Sequence, residues 1–155
     1  MATVAQPPAA ALPTTAPVTR PAGPVTVLLV DDSKVVRIKT SRLLEKHHYR
    51  VLLADDGLSA LQCLAAETPD LVITDVEMPG LDGFGLTQRL RDAPRWHSLP
   101  VIMISSADER HRSAAAAAGV TVLLGKPYEE SGLLAAVQAA VGRSVLVANA
   151  SLALQ

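Results

Sequence analysis

The sequence predicts an α/β fold, a parallel five-stranded sheet covered by helices on both faces. Three observations lead there. Residues 25–30, 71–74, 101–104 and 120–124 are short, almost uninterrupted apolar runs, the pattern of strands buried on both sides. The stretches between them carry apolar residues at helical spacing, so strand and helix alternate, as right-handed βαβ crossovers require. Each of the four runs is followed by a chemically distinct mark: Asp31-Asp32, Asp75, Ser105, then Lys126-Pro127. Parallel strands bring all four marks to one carboxyl edge, where open α/β sheets place their sites.

The elements follow in order. Residues 1–24 are dominated by Ala, Pro and Thr and hold six of the 11 prolines, which fix φ and remove backbone donors. This stretch is expected to be a disordered tether. The first strand, from Val25, leads to Ser33, a helix N-cap residue. The helix it opens carries Val36, Thr40, Leu43, Leu44 and His47 on its expected inner face. A second strand is expected at about 50–54, and a second helix from near Leu58 to Ala66, before Pro69. The third strand gives way to Met78-Pro79-Gly80-Leu81-Asp82-Gly83, a turn-rich loop. Behind it lies a helix bearing Leu86 and Leu90, which Pro94 follows. Pro100 opens the fourth strand; a helix at 109–118 then ends at Gly119, a C′ glycine. The fifth strand precedes a last helix with Leu133, Leu134, Val137 and Val141 at helical spacing. The predicted division is therefore a tether at 1–24, one domain at 25–142, and a tail at 143–155 that is either frayed or a helical extension.

Composition excludes several classes. Apolar residues make up 49% of 155, enough for a core, and a net charge of −1 gives no broad attraction to nucleic acid or anionic lipid. The four His are scattered, without the spacing of a zinc site. Cys63 is the single cysteine and falls among Ala60, Leu61, Leu64 and Ala65, so packing is its expected role. No apolar run approaches the roughly 18 residues of a membrane helix, and the N-terminus has no secretory pattern. The expected location is cytoplasmic.

Singly, each mark has a plain reading. An acid pair before a helix caps it, a strand-end Asp forms a turn, and a lone Lys is a solvated charge. Together, on successive strands, they gather three carboxylates, a hydroxyl and an ammonium. Such carboxylates repel unless something neutralises them, and a hard cation such as Mg2+ takes oxygen ligands. A carboxylate can attack phosphorus to form an acyl phosphate, with the cation and lysine shielding the phosphoryl oxygens.

These marks, with Met78-Pro79, Asp82-Gly83 and Tyr128, closely resemble the receiver domain of two-component response regulators across residues 25–141. The resemblance implies a flavodoxin-like (βα)5 doubly wound sheet of order 2-1-3-4-5. It implies that Asp75 accepts the phosphoryl group. It also implies that Asp32, Asp75 and the backbone carbonyl of Glu77 ligate Mg2+, with Asp31 acting on the metal through water. Ser105 would bind the phosphoryl group and move on its arrival, and Lys126 would pair with a phosphoryl oxygen. The Lys126–Pro127 peptide would be cis. The implied partner is a histidine kinase or phosphotransfer domain. Output would then pass through a surface formed by the fourth helix, fifth strand and fifth helix, since no DNA-binding segment follows. Leu124-Gly125-Lys126-Pro127-Tyr128 with Glu129, Glu130, Leu133 and Leu134, and Asp108, His111 and Arg112, are similar to C-terminal receivers of chemotaxis-type hybrid histidine kinases, including those linked to type IV pili. A phosphate-sink role is the alternative within that reading.

The chain also departs from the family pattern. Leu123 stands where many receivers carry Tyr or Phe, and Ser105 replaces the commoner Thr. Gly132 lies inside the last helix, and Ala114 to Ala118 give the fourth helix small side chains that predict light packing and a shift on phosphorylation. Two other functions compete. A Mg2+-dependent aspartyl phosphatase would want Asp where Glu77 stands, and the expectation is phosphotransfer and slow self-dephosphorylation, not enzymatic turnover. A constitutive binding domain would not need the intact acid, hydroxyl and lysine set.

Overall fold

The computed structural model describes residues 24–105, 109–126 and 128–153. Five strands, β1 (Thr26–Val30), β2 (Arg50–Ala54), β3 (Leu71–Asp75), β4 (Val101–Ser105) and β5 (Val122–Gly125), form one sheet of order β2-β1-β3-β4-β5, with every pairing parallel. The helices are α1 (Lys34–Lys46), α2 (Gly57–Ala66), α3 (Gly83–Asp92), α4 (Glu109–Ala118) and α5 (Glu130–Ala153). Architecture and strand order are those expected.

Side-chain alternation along the strands divides the core. Val27, Leu29, Leu71, Ile73, Ile102 and Ile104 face Leu44 of α1 and Leu133, Val137 and Ala140 of α5. Leu28, Val30, Val72 and Val101 face Ala60 and Leu64 of α2 and Leu86 and Leu90 of α3. Met103 joins Val76 and Ala115 of α4, with Phe84, Val120 and Leu123 packed against them. So β1, β3 and β4 are buried throughout, which explains why their sequences show no period of two.

Local signals bound the helices, Ser33 and Gly119 as expected and Asp56 and Asp82 in addition. Ser33, Asp56 and Asp82 each cap a helix N-terminus, their side chains accepting from the amides of Val36, Ser59 and Gly85. Gly119 closes α4 at φ +88°, a left-handed value that favours glycine. The inner face of α1 differs at one position. His47 is exposed and forms the C-cap, and Ser41, whose hydroxyl donates to the Ile38 carbonyl at 3.0 Å, is buried instead. His48 at φ 72° then turns the chain before a helical face can continue.

The last helix runs past Gly142 to Ala153, so the segment after the sheet-covering part continues as helix. No helix among the described residues is long and apolar enough to cross a membrane. The tether at 1–23, Asp108 and the Lys126–Pro127 peptide geometry lie outside the described residues.

Candidate functional site

The carboxyl edge of the sheet gathers the residues that the sequence singles out. β1 delivers Asp31, which is 5% exposed, and Asp32, which is exposed. Asp75 is the last residue of β3 and Ser105 the last of β4; both are buried. Extra ladder bonds extend these two strands one residue beyond the expected ends. The Val76 amide donates to the Ile104 carbonyl at 3.1 Å, and the Lys126 amide to the Ser105 carbonyl at 2.6 Å. The second bond fixes where the chain leaves β5, and so where Lys126 starts.

One carboxylate oxygen from each of Asp31, Asp32 and Asp75 lies within 4.8 Å of the others. Lys126 Nζ donates to Asp75 Oδ1 at 2.9 Å, and the same oxygen accepts from the Val76 amide at 2.9 Å. The lysine reaches 51 residues back along the chain to a carboxylate that is almost fully buried, while its own side chain is about half exposed. The resulting ion pair is thus more than a solvated surface contact.

Electrostatics within the cluster are unbalanced. Burial raises the Asp31 pKa, and repulsion from Asp75 and Asp32 adds to it; the bond from the Ser33 amide and the Lys126 charge oppose the rise without cancelling it. Burial works against the Lys126 ammonium. The Asp75 hydrogen bond and the charges of Asp75, Asp31 and Glu77 outweigh it, leaving the lysine pKa above its ordinary value. One ammonium against three close carboxylates leaves a net negative, all-oxygen donor set, which suits a hard divalent cation and no softer metal. The described residues therefore fit Mg2+.

Two backbone features build the site beyond the marks themselves. Gly83 opens α3 so close to the Asp75 carbonyl that a Cβ there would overlap it, and its amide donates to the Val76 carbonyl at 2.9 Å. Gly57, at the start of α2, has the same relation to the Leu81 carbonyl, which a Cβ would meet at 2.5 Å. Arg37 was missed by sequence reasoning. Its Nη1 donates to the Asp31 carbonyl at 2.6 Å, and its sole signal is a basic residue one turn after a cap that follows two acids. Glu77 is exposed in the β3–α3 connection, acting on Lys126 through its charge.

Residues 27–138 match the response regulator receiver domain family. The chain belongs to that family. It is 38% identical over 122 residues to response regulator MprA of Mycolicibacterium vanbaalenii, covering 78% of this chain and 52% of MprA. The chain thus spans about half the length of such relatives. It is 35% identical over 114 residues to Protein PilH of Pseudomonas aeruginosa, covering 73% of this chain and 94% of PilH. Among solved structures, the receiver domain of sensor histidine kinase PA1611 of Pseudomonas aeruginosa, which has a magnesium ion in its active-site cleft, superposes with a TM-score of 0.72 at 27% identity. That match covers 77% of this chain and 99% of the other. Receiver domains are the phosphoacceptors of two-component signalling: they take a phosphoryl group from histidine kinases and bind Mg2+ at an acidic cluster.

Proposed function

We propose that this receiver takes a phosphoryl group on Asp75 and that Asp31, Asp32, Asp75 and the Glu77 backbone carbonyl hold the Mg2+ that the reaction needs. The observation that carries the reading is the convergence on Asp75: two acids of β1 beside it, and Lys126 bonded to its Oδ1. In the transfer, an Asp75 carboxylate oxygen attacks phosphorus of a phosphohistidine. The P–N bond breaks as the P–O bond of an acyl phosphate forms, and the imidazole nitrogen leaves with the bonding pair and takes up a proton. Bound Mg2+ supplies positive charge against the phosphoryl oxygens. Lys126 exchanges its bond to Asp75 for one to a phosphoryl oxygen, and Ser105 supplies a hydroxyl to another.

The switch follows from what borders these two residues. Lys126 leaves β5 and Ser105 ends β4, so movement of either reaches β5 and the α4 side of the sheet. α4 is held there by Ala115 and Ala118, its only buried side chains among the described residues. Phosphorylation thereby biases the α4–β5–α5 surface, shifting a population between two arrangements. The donor is a histidine kinase or phosphotransfer domain, and the output is a protein contact or, in the alternative, drainage of phosphate from a shared kinase. A chemotaxis-type or type IV pilus setting accords with the likeness to PilH. The chain turns over no substrate beyond its own phosphorylation and slow dephosphorylation, and its working compartment is the cytoplasm.

Acetyl phosphate with Mg2+ provides the test. Intact mass should rise by one phosphoryl group in the wild type and remain unchanged in Asp75→Asn. Equal labelling of both chains, or labelling that survives EDTA, refutes the reading.

A further inference from the structure

Asp31 is held at three points. Its amide donates to the Ala54 carbonyl at 3.1 Å, its Oδ1 accepts from the Ser33 amide at 2.8 Å, and its carbonyl accepts from Arg37 Nη1 at 2.6 Å. The first two are ordinary consequences of a strand end and a turn. The third is a short, charge-assisted bond from a side chain on α1. Arg37 is half-buried and stands beside an acid-rich edge, yet among the described residues it forms no ion pair. A guanidinium paired with those carboxylates would neutralise them and compete with a cation. Here it is directed at a peptide oxygen instead, and the acids keep their charge.

That oxygen belongs to the planar peptide joining Asp31 to Asp32, so fixing it fixes the direction in which Asp32 leaves the strand. Asp32 is exposed, and its carboxylate is nonetheless one of the three that gather within 4.8 Å. We propose that Arg37 is a positioning residue: by clamping the Asp31 carbonyl it holds the acid pair in the geometry that grips the divalent cation. The inference rests on the Mg2+ reading of the site given above.

Charge and position make opposite demands, which gives the proposal a sharp test. Losing a positive charge near three carboxylates should strengthen cation binding. Losing a clamp should weaken it, as removal of outer-shell partners does by about 10–100-fold. The full chain, Arg37→Met and Arg37→Lys are titrated with Mn2+, free ion being read by electron paramagnetic resonance and Mg2+ by competition. Far-UV circular dichroism without metal monitors the fold.

The expected result is Mn2+ and Mg2+ binding at least about tenfold weaker in Arg37→Met despite the lost charge. Arg37→Lys, whose donor is one bond shorter, should fall between the two. Labelling of Arg37→Met by acetyl phosphate should need more Mg2+ but approach the wild-type rate at saturation. Binding by Arg37→Met equal to or tighter than wild type overturns the inference alone. A wild-type chain that binds no Mn2+ overturns both the inference and the Mg2+ reading. Should Arg37→Met lose the wild-type spectrum, Arg37→Gln, whose donor is two bonds short of Nη1, is read by the same criteria.

Discussion

The hydroxyls of Thr40 and Tyr128 lie 3.3 Å apart, within hydrogen-bonding distance, and so join α1 to the segment two residues beyond Lys126. Thr40 is buried and the partly buried Tyr128 packs against the α1–α5 side of the core, so the contact is in part withdrawn from water. A bond of this kind contributes about 1 kcal/mol. Tyr128→Phe and Thr40→Val should each lower stability by that order in denaturant unfolding, and the double variant by less than the sum. Strictly additive losses would show that the hydroxyls do not act on one another.

Asp31 carries its charge under protest, since burial and two neighbouring carboxylates raise its pKa. Asp31→Asn keeps an Oδ1 acceptor for the Ser33 amide while removing the repulsion. Without metal this variant should melt at a higher temperature than the wild type. Mg2+ at a hundred times its dissociation constant should stabilise the wild type by about 2.7 kcal/mol and the variant by much less. Calorimetry with EDTA and with Mg2+ checks both. A metal-free variant less stable than wild type would contradict the assigned repulsion.

Two glycines should respond oppositely to Ala. Gly83 abuts the Asp75 carbonyl, so Gly83→Ala forces the start of α3 away from the site, at about 1–3 kcal/mol. Gly132 has open space around its Cβ position inside α5, so Gly132→Ala should stabilise by up to about 1 kcal/mol. Paired urea titrations give the signs directly. Equal effects would mean that the contact at Gly83 is not steric.

Among the described residues the attachment of α4 is uneven: its buried side chains are Ala115 and Ala118, in the C-terminal half. At that end Arg91 Nε donates to the Gly119 carbonyl at 2.9 Å, while its Nη1 reaches the Trp96 and His97 carbonyls at 3.3 and 3.1 Å. Hydrogen exchange should therefore rise toward the N-terminal end of α4 and change there with a phosphate mimic. Arg91→Met should erase the gradient by loosening the far end. Uniform protection matching β1, unchanged by the mimic, would refute light packing.

Much of this was legible in the sequence because burial on two faces leaves a plain mark. β1, β3 and β4 are apolar on both faces apart from Thr26, Thr74 and the terminal Asp75 and Ser105, so their presence could be read before any contact was known. The site marks were legible for a related reason, each being a polar residue at the end of such a run. Boundaries were less so. β5 starts at Val122 and not Val120, because the Val120 amide is taken by the Ala115 carbonyl and the Thr121 hydroxyl accepts from the Val101 amide at 3.0 Å. His47 shares the spacing of the inner face of α1, but the helix ends there and leaves it outside. Arg37 and the Thr40–Tyr128 pair depend on where side chains reach across turns and between elements, which spacing does not encode.

β1 lies second in the sheet, flanked by β2 and β3, whereas β5 is an outer strand with partly buried residues throughout. The acid pair thus hangs from the interior and the lysine from the margin. Fraying that begins at the margins would release Lys126 first and leave Asp31, Asp32 and Asp75 assembled. On the site roles proposed above, a molecule in that condition would keep its grip on an ion while losing its hold on a transferred group, so thermal wear would silence the signal before it emptied the cage.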